Sequence, residues 1–175
     1  MWVPDVLMSI LFISTLMVMY YQYSLNLSAG NRGVLDRLIF DAEIMGETLV
    51  SPGYPPGWDA STVERPGLTD GNQRLNLTKL TYVANLTYYD LKYFFGTTYD
   101  YYIVLREPGE DGALLNISEM TARNDSWLSP EGGLGLPGMT LETLALRNTS
   151  DHMVRTVRYL ITNSTTVKLL IYLWD

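Results

Sequence analysis

The chemical group that this chain repeats most often is an asparagine amide placed two residues before a hydroxyl. Seven of its nine Asn stand in Asn-x-Ser/Thr with x other than Pro: Asn26, Asn76, Asn85, Asn116, Asn124, Asn148 and Asn163. Because Ser and Thr make up 28 of the 175 residues, chance alone would place roughly one or two such sites. The pattern is the acceptor for N-linked glycans on extracellular chain. We therefore expect glycans, and an extracellular location from about Asn26 onward.

Other side chains that could do chemistry are few. The chain has one His, His152, which we expect at the surface, and it has no Cys. No nucleophile, phosphate-loop or zinc-helix motif occurs. The segments TDGN (69–72) and GEDG (109–112) lack the ligand spacing of a calcium loop, so turns are the favoured interpretation. The net charge is −7 without a Lys/Arg cluster, which argues against nucleic acid. We expect no enzyme activity, no metal and no cofactor beyond linked glycans.

The elements that would position these groups begin with an apolar segment. Residues 6–25, VLMSILFISTLMVMYYQYSL, contain no charged residue, Gly or Pro. Twenty such residues form a helix of about 30 Å, the thickness of a bilayer's hydrocarbon core. Trp2 at one end and Tyr20, Tyr21 and Tyr23 at the other suit the two membrane interfaces. The sequons then orient the helix with its N-terminus inside the cell and its C-terminus outside.

Three interpretations of this segment differ in what Asp5 does. A cleaved signal peptide is disfavoured, because a basic flank and a small-x-small cleavage site are missing and the apolar run is long. In a simple membrane anchor, Asp5 would sit among headgroups at the helix start, where the helix dipole favours an acid. In a processed chain, the free α-amino group of Met1 would be a cation beside Asp5. The last two interpretations stay open on these residues alone.

The helix is expected to continue beyond the membrane over residues 27–50. SAGNRG (28–33) carries two Gly and predicts a weakened or melted turn. Beyond it, apolar residues recur at spacings of three and four, which predicts one buried stripe: Leu35, Leu38, Ile39, Ala42, Met45 and Leu49. SPGYPPG ends the helix. We therefore divide the chain into an N-terminal helix, 1–50, and an extracellular glycosylated head, 51–175.

The head is predicted to combine short helices with a small antiparallel sheet. Residues 78–86 and 88–95 suit helices, the second with Thr87 and Asp90 as a capping box and Gly96 as its end. Residues 99–107 and ALLNIS suit strands, and 124–139 suit a long loop. MVRTVRYLIT and TVKLLIYLW flank NST and predict a hairpin with Asn163 near its tip. The expected fold is α+β, with the hairpin's apolar face packed on the helix stripe. That face is predicted to comprise Arg155, Val157, Tyr159 and Ile161 of the first strand and Val167, Leu169, Ile171 and Leu173 of the second.

An apolar N-terminal helix with an acid at its fifth position and a β-rich head resembles the type IV pilins and pseudopilins. GYPPGW, VERPGLTDG, TKL and YDYYIVL, together with the dense sequons, are similar to the archaeal branch. The resemblance implies removal of a basic leader by a prepilin peptidase, and pairing of Asp5 with the amine of Met1 on a neighbouring subunit. It also implies that the helix leaves the membrane to form a filament core. The core residues would be Val6, Leu7, Ile10, Leu11, Ile13, Leu16, Met17, Tyr20 and Tyr21.

Two functions follow from these expectations. The first is a structural subunit of an extracellular pilus-like filament, membrane-inserted before assembly, with many copies of itself and the pilus assembly machinery as partners. The second is a single-span ectodomain, such as an adhesin or receptor, in which Asp5 has no assembly role.

Overall fold

The chain forms an α+β structure with a long N-terminal helix and a small antiparallel sheet. The computed structural model describes residues 3–109, 112–117, 131–147, 152–162 and 165–175. The chain divides into two compact units, Met1–Asp36 and Arg37–Asp175. The helices are α1 (Val3–Val50), α2 (Leu77–Asn85), α3 (Tyr88–Phe95) and α4 (Leu141–Arg147). The strands are β1 (Asp100–Arg106), β2 (Leu114–Leu115), β3 (Leu134–Gly135), β4 (Met153–Thr162) and β5 (Thr165–Trp174).

Helix α1 contradicts one expectation, because residues 28–33 are helical and not melted. Each Gly in a helix interior costs about 1 kcal/mol relative to Ala. Once a helix is nucleated, each further residue adds its own hydrogen bond. The long helical stretches on both sides therefore keep residues 28–33 helical despite their low helix propensity. The predicted end is correct: α1 stops at Val50, before SPGYPPG.

The sheet has the order β2-β1-β5-β4, and β3 pairs with β1 on the same side as β2. The predicted hairpin is confirmed: β4 and β5 pair antiparallel along their whole length, from Met153↔Trp174 to Thr162↔Thr165. β1 pairs with β5 over seven residues. The continuous apolar run of β1 therefore lies between neighbouring strands, and Tyr101–Leu105 are buried on both faces.

One face of the sheet, which we call the helix face, carries Val167, Leu169, Ile171 and Leu173 of β5. All four are buried. In the second half of α1 the predicted stripe supplies Leu38, Ala42, Met45 and Leu49, each fully buried. Gly46 of α1 lies close to Arg158 of β4, since a Cβ atom added to Gly46 would be 3.1 Å from Arg158 Nε. Arg158 in turn pairs with Leu169 across the hairpin. This contact places the second half of α1 against the helix face, as expected from the stripe. Leu35 and Ile39, which were also predicted to be buried, are 39% and 41% exposed.

The residues that β4 contributes to this face differ from those predicted. Register pairs Leu160 with Val167 and Val154 with Leu173, and paired residues of an antiparallel ladder point to the same side. The predicted set, Arg155, Val157, Tyr159 and Ile161, therefore lies on the opposite face. The reason is that β4 is an edge strand without clean alternation, so its pattern alone did not determine its register.

The opposite face, which we call the loop face, is covered by residues 131–147. Its buried cluster comprises Tyr102, Val104, Met139, Leu144, Leu170 and Trp174. Met139 and Leu144 come from the segment after β3 and from α4, which was not predicted. The predicted loop 124–139 contains β3 in its described part, and 124–130 lie outside the described residues.

Helix α3 has the caps that the sequence predicts, and α2 has an N-cap that was not predicted. Thr87 and Asp90 form the complete capping box, and Gly96 ends α3 with φ 66° in the left-handed region. Asn76 caps α2, its side chain accepting a hydrogen bond from the Lys79 amide. These local bonds satisfy amide groups at the helix starts that have no partner inside the helix.

The end of α1 is joined to the head by backbone hydrogen bonds and one buried ring. Leu68 N–H donates to Leu49 O over 2.7 Å, and Thr69 Oγ1 donates to Val50 O over 2.6 Å. Trp58 is 1% exposed, and its indole Nε1–H donates to Pro52 O over 3.0 Å. Trp58 therefore closes the turn in which the chain leaves α1.

Candidate functional site

The candidate site in the first unit is the apolar segment at the start of α1. The stretch Pro4–Tyr23 is long and apolar enough to cross a membrane, a property that a signal sequence shares, and none of it is buried. The nine residues predicted for a filament core are between 51% and 75% exposed: Val6, Leu7, Ile10, Leu11, Ile13, Leu16, Met17, Tyr20 and Tyr21. Met8, Phe12 and Met19, which are 63–70% exposed, lie on the side that these nine leave open, so apolar side chains occur all round the helix. A helix that is apolar on every side needs an apolar environment on every side.

The polar side chains of this segment are satisfied within the helix itself. Ser9, Ser14 and Thr15 each donate a 2.8 Å hydrogen bond to the carbonyl four residues earlier. The backbone groups are likewise bonded inside the helix. Because unsatisfied polar groups are costly in hydrocarbon, this pattern allows the three hydroxyls to enter a lipid or protein interior.

Asp5 lies in the first turn of α1 and is exposed. An acid at this position interacts favourably with the positive end of the helix dipole. Met1 lies outside the described residues, so the pairing of Asp5 with an N-terminal amine stays a prediction.

Three of the seven predicted glycan acceptors have described side chains: Asn76, Asn85 and Asn116. Asn26 lies inside α1, where only the backbone is described, and Asn124, Asn148 and Asn163 lie outside the described residues. Asn76, Asn85 and Asn116 are all partly exposed in the second unit.

Two of these sequons also serve the fold, which sequence reasoning missed. Asn76 is the N-cap of α2. The hydroxyl of the Asn85 sequon belongs to Thr87, which donates to Asp90 Oδ2 over 2.7 Å within the capping box. Ser, Thr and Asn favour both helix starts and sequons. The overlap could have been found from the position of each sequon next to a predicted helix.

The remaining sequence candidates lie in ordinary surface positions. His152 is exposed. The loop 69–72 is a turn in which Asp70 Oδ1 accepts a hydrogen bond from the Asn72 amide over 3.0 Å. Part of the loop 109–112 lies outside the described residues. Within the described residues, no three His, Asp or Glu side chains group as metal ligands.

A group of titratable side chains joins α3 to β1. Tyr88 donates a 2.5 Å hydrogen bond to Asp100 Oδ1, and Lys92 Nζ lies 2.9 Å from the same oxygen. Burial alone would raise the pKa of Asp100, but hydrogen bonds from Tyr88 and Lys92 and the charges of Lys92 and Arg147 outweigh it and lower the pKa. Burial, followed by the bond to Asp100, raises the pKa of Tyr88. The group links α3 to β1.

This cluster predicts how stability depends on pH. Because the folded head raises the pKa of Tyr88, its contribution is full below about pH 10 and is lost as pH rises above that value. Because the pKa of Asp100 is lowered, its contribution is present above about pH 4 and is lost in acid. We expect Tyr88→Phe to reduce the alkaline fall of the thermal midpoint by a few degrees, measured by circular dichroism. Tyr93→Phe, at an 82% exposed position, is the control, and an equal effect of both variants would contradict the assignment.

Comparisons of the chain with models of known protein families, with curated proteins and with solved structures found no match.

Proposed function

We propose that the chain is a glycosylated subunit of an extracellular pilus-like filament, assembled through its N-terminal helix. The observation that carries the proposal is the first part of α1: about five turns of helix, apolar all round and with no residue buried by its own chain. A membrane can cover such a surface, and so can copies of the same helix. Filament assembly provides both in sequence, first lipid and then neighbouring subunits.

The second part of α1 supports this proposal. Leu38, Ala42, Met45 and Leu49 belong to the core of the second unit, and α1 includes both this stripe and the apolar segment. One helix therefore carries a surface for the head and a surface for something outside the chain. This division of one helix is similar to the plan of type IV pilins and pseudopilins.

The dense sequons support an extracellular location for the head. Repeated head-to-tail contacts between identical subunits build a filament where the rotation between subunits does not close a ring. Glycans on the head would cover the surface that such a filament exposes along its length. The α-amino group of Met1 and the Asp5 carboxylate would neutralise each other between neighbouring subunits as the helices pack.

The direct test is electron microscopy of surface material from cells that make the protein, combined with mass spectrometry of its native N-terminus. Filaments labelled by an antibody to the head, with a processed N-terminus, are the expected result. An unprocessed chain that stays in the membrane as a monomer would overturn the proposal and would favour a single-span ectodomain.

Asp5→Ala separates assembly from membrane insertion. We expect far fewer filaments from this variant, because the N-terminal amine of one subunit would lose its counter-charge in an apolar core. The amount of protein in the membrane should stay unchanged, since removing a charge does not oppose insertion. Asp36→Ala, at an exposed position on the same helix, is the matched control. Normal filament yield from Asp5→Ala, counted by electron microscopy, would show that Asp5 has no assembly role.

A further inference from the structure

A cleft lies between the segment before α2 and the end of β4. Its volume is about 460 Å³, and it is lined by Asp70, Arg74, Leu75, Asn76, Leu77, Thr78, Ile161 and Thr162. Both walls are held by backbone bonds: Leu75 N–H donates to Ile161 O over 2.8 Å, and Ile161 N–H donates to Gln73 O over 2.9 Å. The cleft is therefore a built feature of the head, with a volume in the range of about 300–1,000 Å³ typical of small-molecule sites.

One wall of this cleft contains a glycan acceptor. Asn76 Oδ1 is held by the Lys79 amide at 3.2 Å, so the cap fixes the planar side-chain amide. The nitrogen Nδ2, on the other branch of that amide, makes no hydrogen bond with any described residue. N-linked glycans attach to this nitrogen. A glycan on Asn76 would therefore begin at the cleft wall while the helix cap stays intact.

The lining suits a saccharide. Leu77 is 43% and Ile161 41% exposed, and such aliphatic surface suits the apolar C–H face of a sugar ring. Arg74 and Thr78 are exposed side chains beside it, and the five N–H donors of a guanidinium can bond sugar hydroxyls. Five of the eight lining residues are polar, namely Asp70, Arg74, Asn76, Thr78 and Thr162, which suits the many hydroxyl groups of a saccharide.

A second cleft continues from the first. Its volume is about 470 Å³, and it shares Leu77 and Thr162 with its neighbour before extending to Glu107, Pro108, Leu115 and Val167. A glycan longer than the first cleft would reach this neighbouring cleft past Leu77 and Thr162.

We propose that the first sugars of the glycan on Asn76 bind in the cleft between residues 70–78 and the end of β4. The glycan lies along the head, covers Leu77 and Ile161 and bonds to Arg74. This inference rests on the proposed glycosylation of the chain, and not on filament assembly. It makes the glycan a part of the folded head.

The test is a double-mutant cycle on the full chain purified from its native cells in detergent. Asn76→Ser removes the acceptor and keeps a good helix cap, and Arg74→Ala removes the guanidinium. We expect Arg74→Ala to lower the thermal midpoint by about 2–4 °C in the glycosylated chain, and by much less in the Asn76→Ser background. Arg65→Ala, an exposed Arg outside the cleft, should act equally in both backgrounds.

Mass spectrometry of the peptide that contains Asn76 distinguishes the two ways in which this inference can fail. If Asn76 carries a glycan and the effect of Arg74→Ala is the same in both backgrounds, Asn76 is glycosylated but its glycan does not bind in the cleft. If Asn76 is unmodified, this result overturns both the binding of a glycan in the cleft and glycosylation at this sequon. Filament formation, seen by microscopy, is unaffected by either result.

Discussion

Ile13→Lys is expected to abolish stable membrane insertion of the chain. Ile13 lies near the middle of the apolar stretch Pro4–Tyr23 and is 59% exposed. A Lys at the centre of a membrane-spanning helix costs about 2.5–3.5 kcal/mol, and replacing Ile also forfeits its favourable contribution. Since every 1.4 kcal/mol is a factor of ten, the ratio of inserted to uninserted chain falls about a hundredfold or more.

Two measurements check this result. Membrane fractionation reports insertion. Under the proposal that the head is glycosylated outside the cell, the occupancy of the sequons reports delivery of the head to that side. Both should fall together. Glu47→Lys places the same new cation at an exposed position near the other end of α1 and should change neither. If the Ile13→Lys chain stays in the membrane and is glycosylated like the parent, the segment is not a membrane span.

Trp58→Ala is expected to destabilise the head by about 3–5 kcal/mol, the usual cost of truncating a buried aromatic ring. Trp58 is 1% exposed, packs edge-on against Tyr82 with ring centroids 5.8 Å apart, and bonds to Pro52 O. Truncation leaves a cavity where the chain leaves α1 and also removes the hydrogen bond. Because a domain is stable by only about 5–15 kcal/mol, this change removes a large part of the total.

Thermal unfolding followed by circular dichroism should show a midpoint lowered by about 10 °C. Trp58→Phe keeps most of the ring and loses the indole bond, so its cost should be about 1 kcal/mol. Tyr93→Ala truncates an aromatic ring that is 82% exposed and should stay within about 0.5 kcal/mol of the parent. Equal midpoints for Trp58→Ala and Tyr93→Ala would show that the turn after α1 does not depend on this ring.

The elements that sequence reasoning predicted well are those whose signals are local. Thr87, Asp90 and Gly96 mark the two ends of α3 through bonds to residues within one helical turn. SPGYPPG ends α1 for a similar reason, because Pro and Gly do not continue a helix. The hairpin of β4 and β5 is short-range too, since its two strands flank a short polar segment.

The parts that were missed depend on contacts distant in the sequence. Which face of β4 is buried depends on its pairing with β5 and on Gly46 of α1, which approaches Arg158. The short strand β3 exists only where Leu134 meets Ile103 of β1, and two residues carry no periodicity of their own. The cleft beside Asn76 likewise needs Ile161, from the far end of the chain, as its second wall.

The hydroxyls of Ser9, Ser14 and Thr15 have a consequence for how the apolar helix moves between environments. Because each is bonded to its own helix, exchanging lipid tails for neighbouring helices makes and breaks no hydrogen bond at these positions. Only the identity of the surrounding carbon atoms changes, and lipid tails are about as apolar as leucine. In the proposed filament, the exchange would therefore be nearly balanced in free energy along this stretch, and the polar groups of the subunit would present no large barrier to its passage between bilayer and polymer.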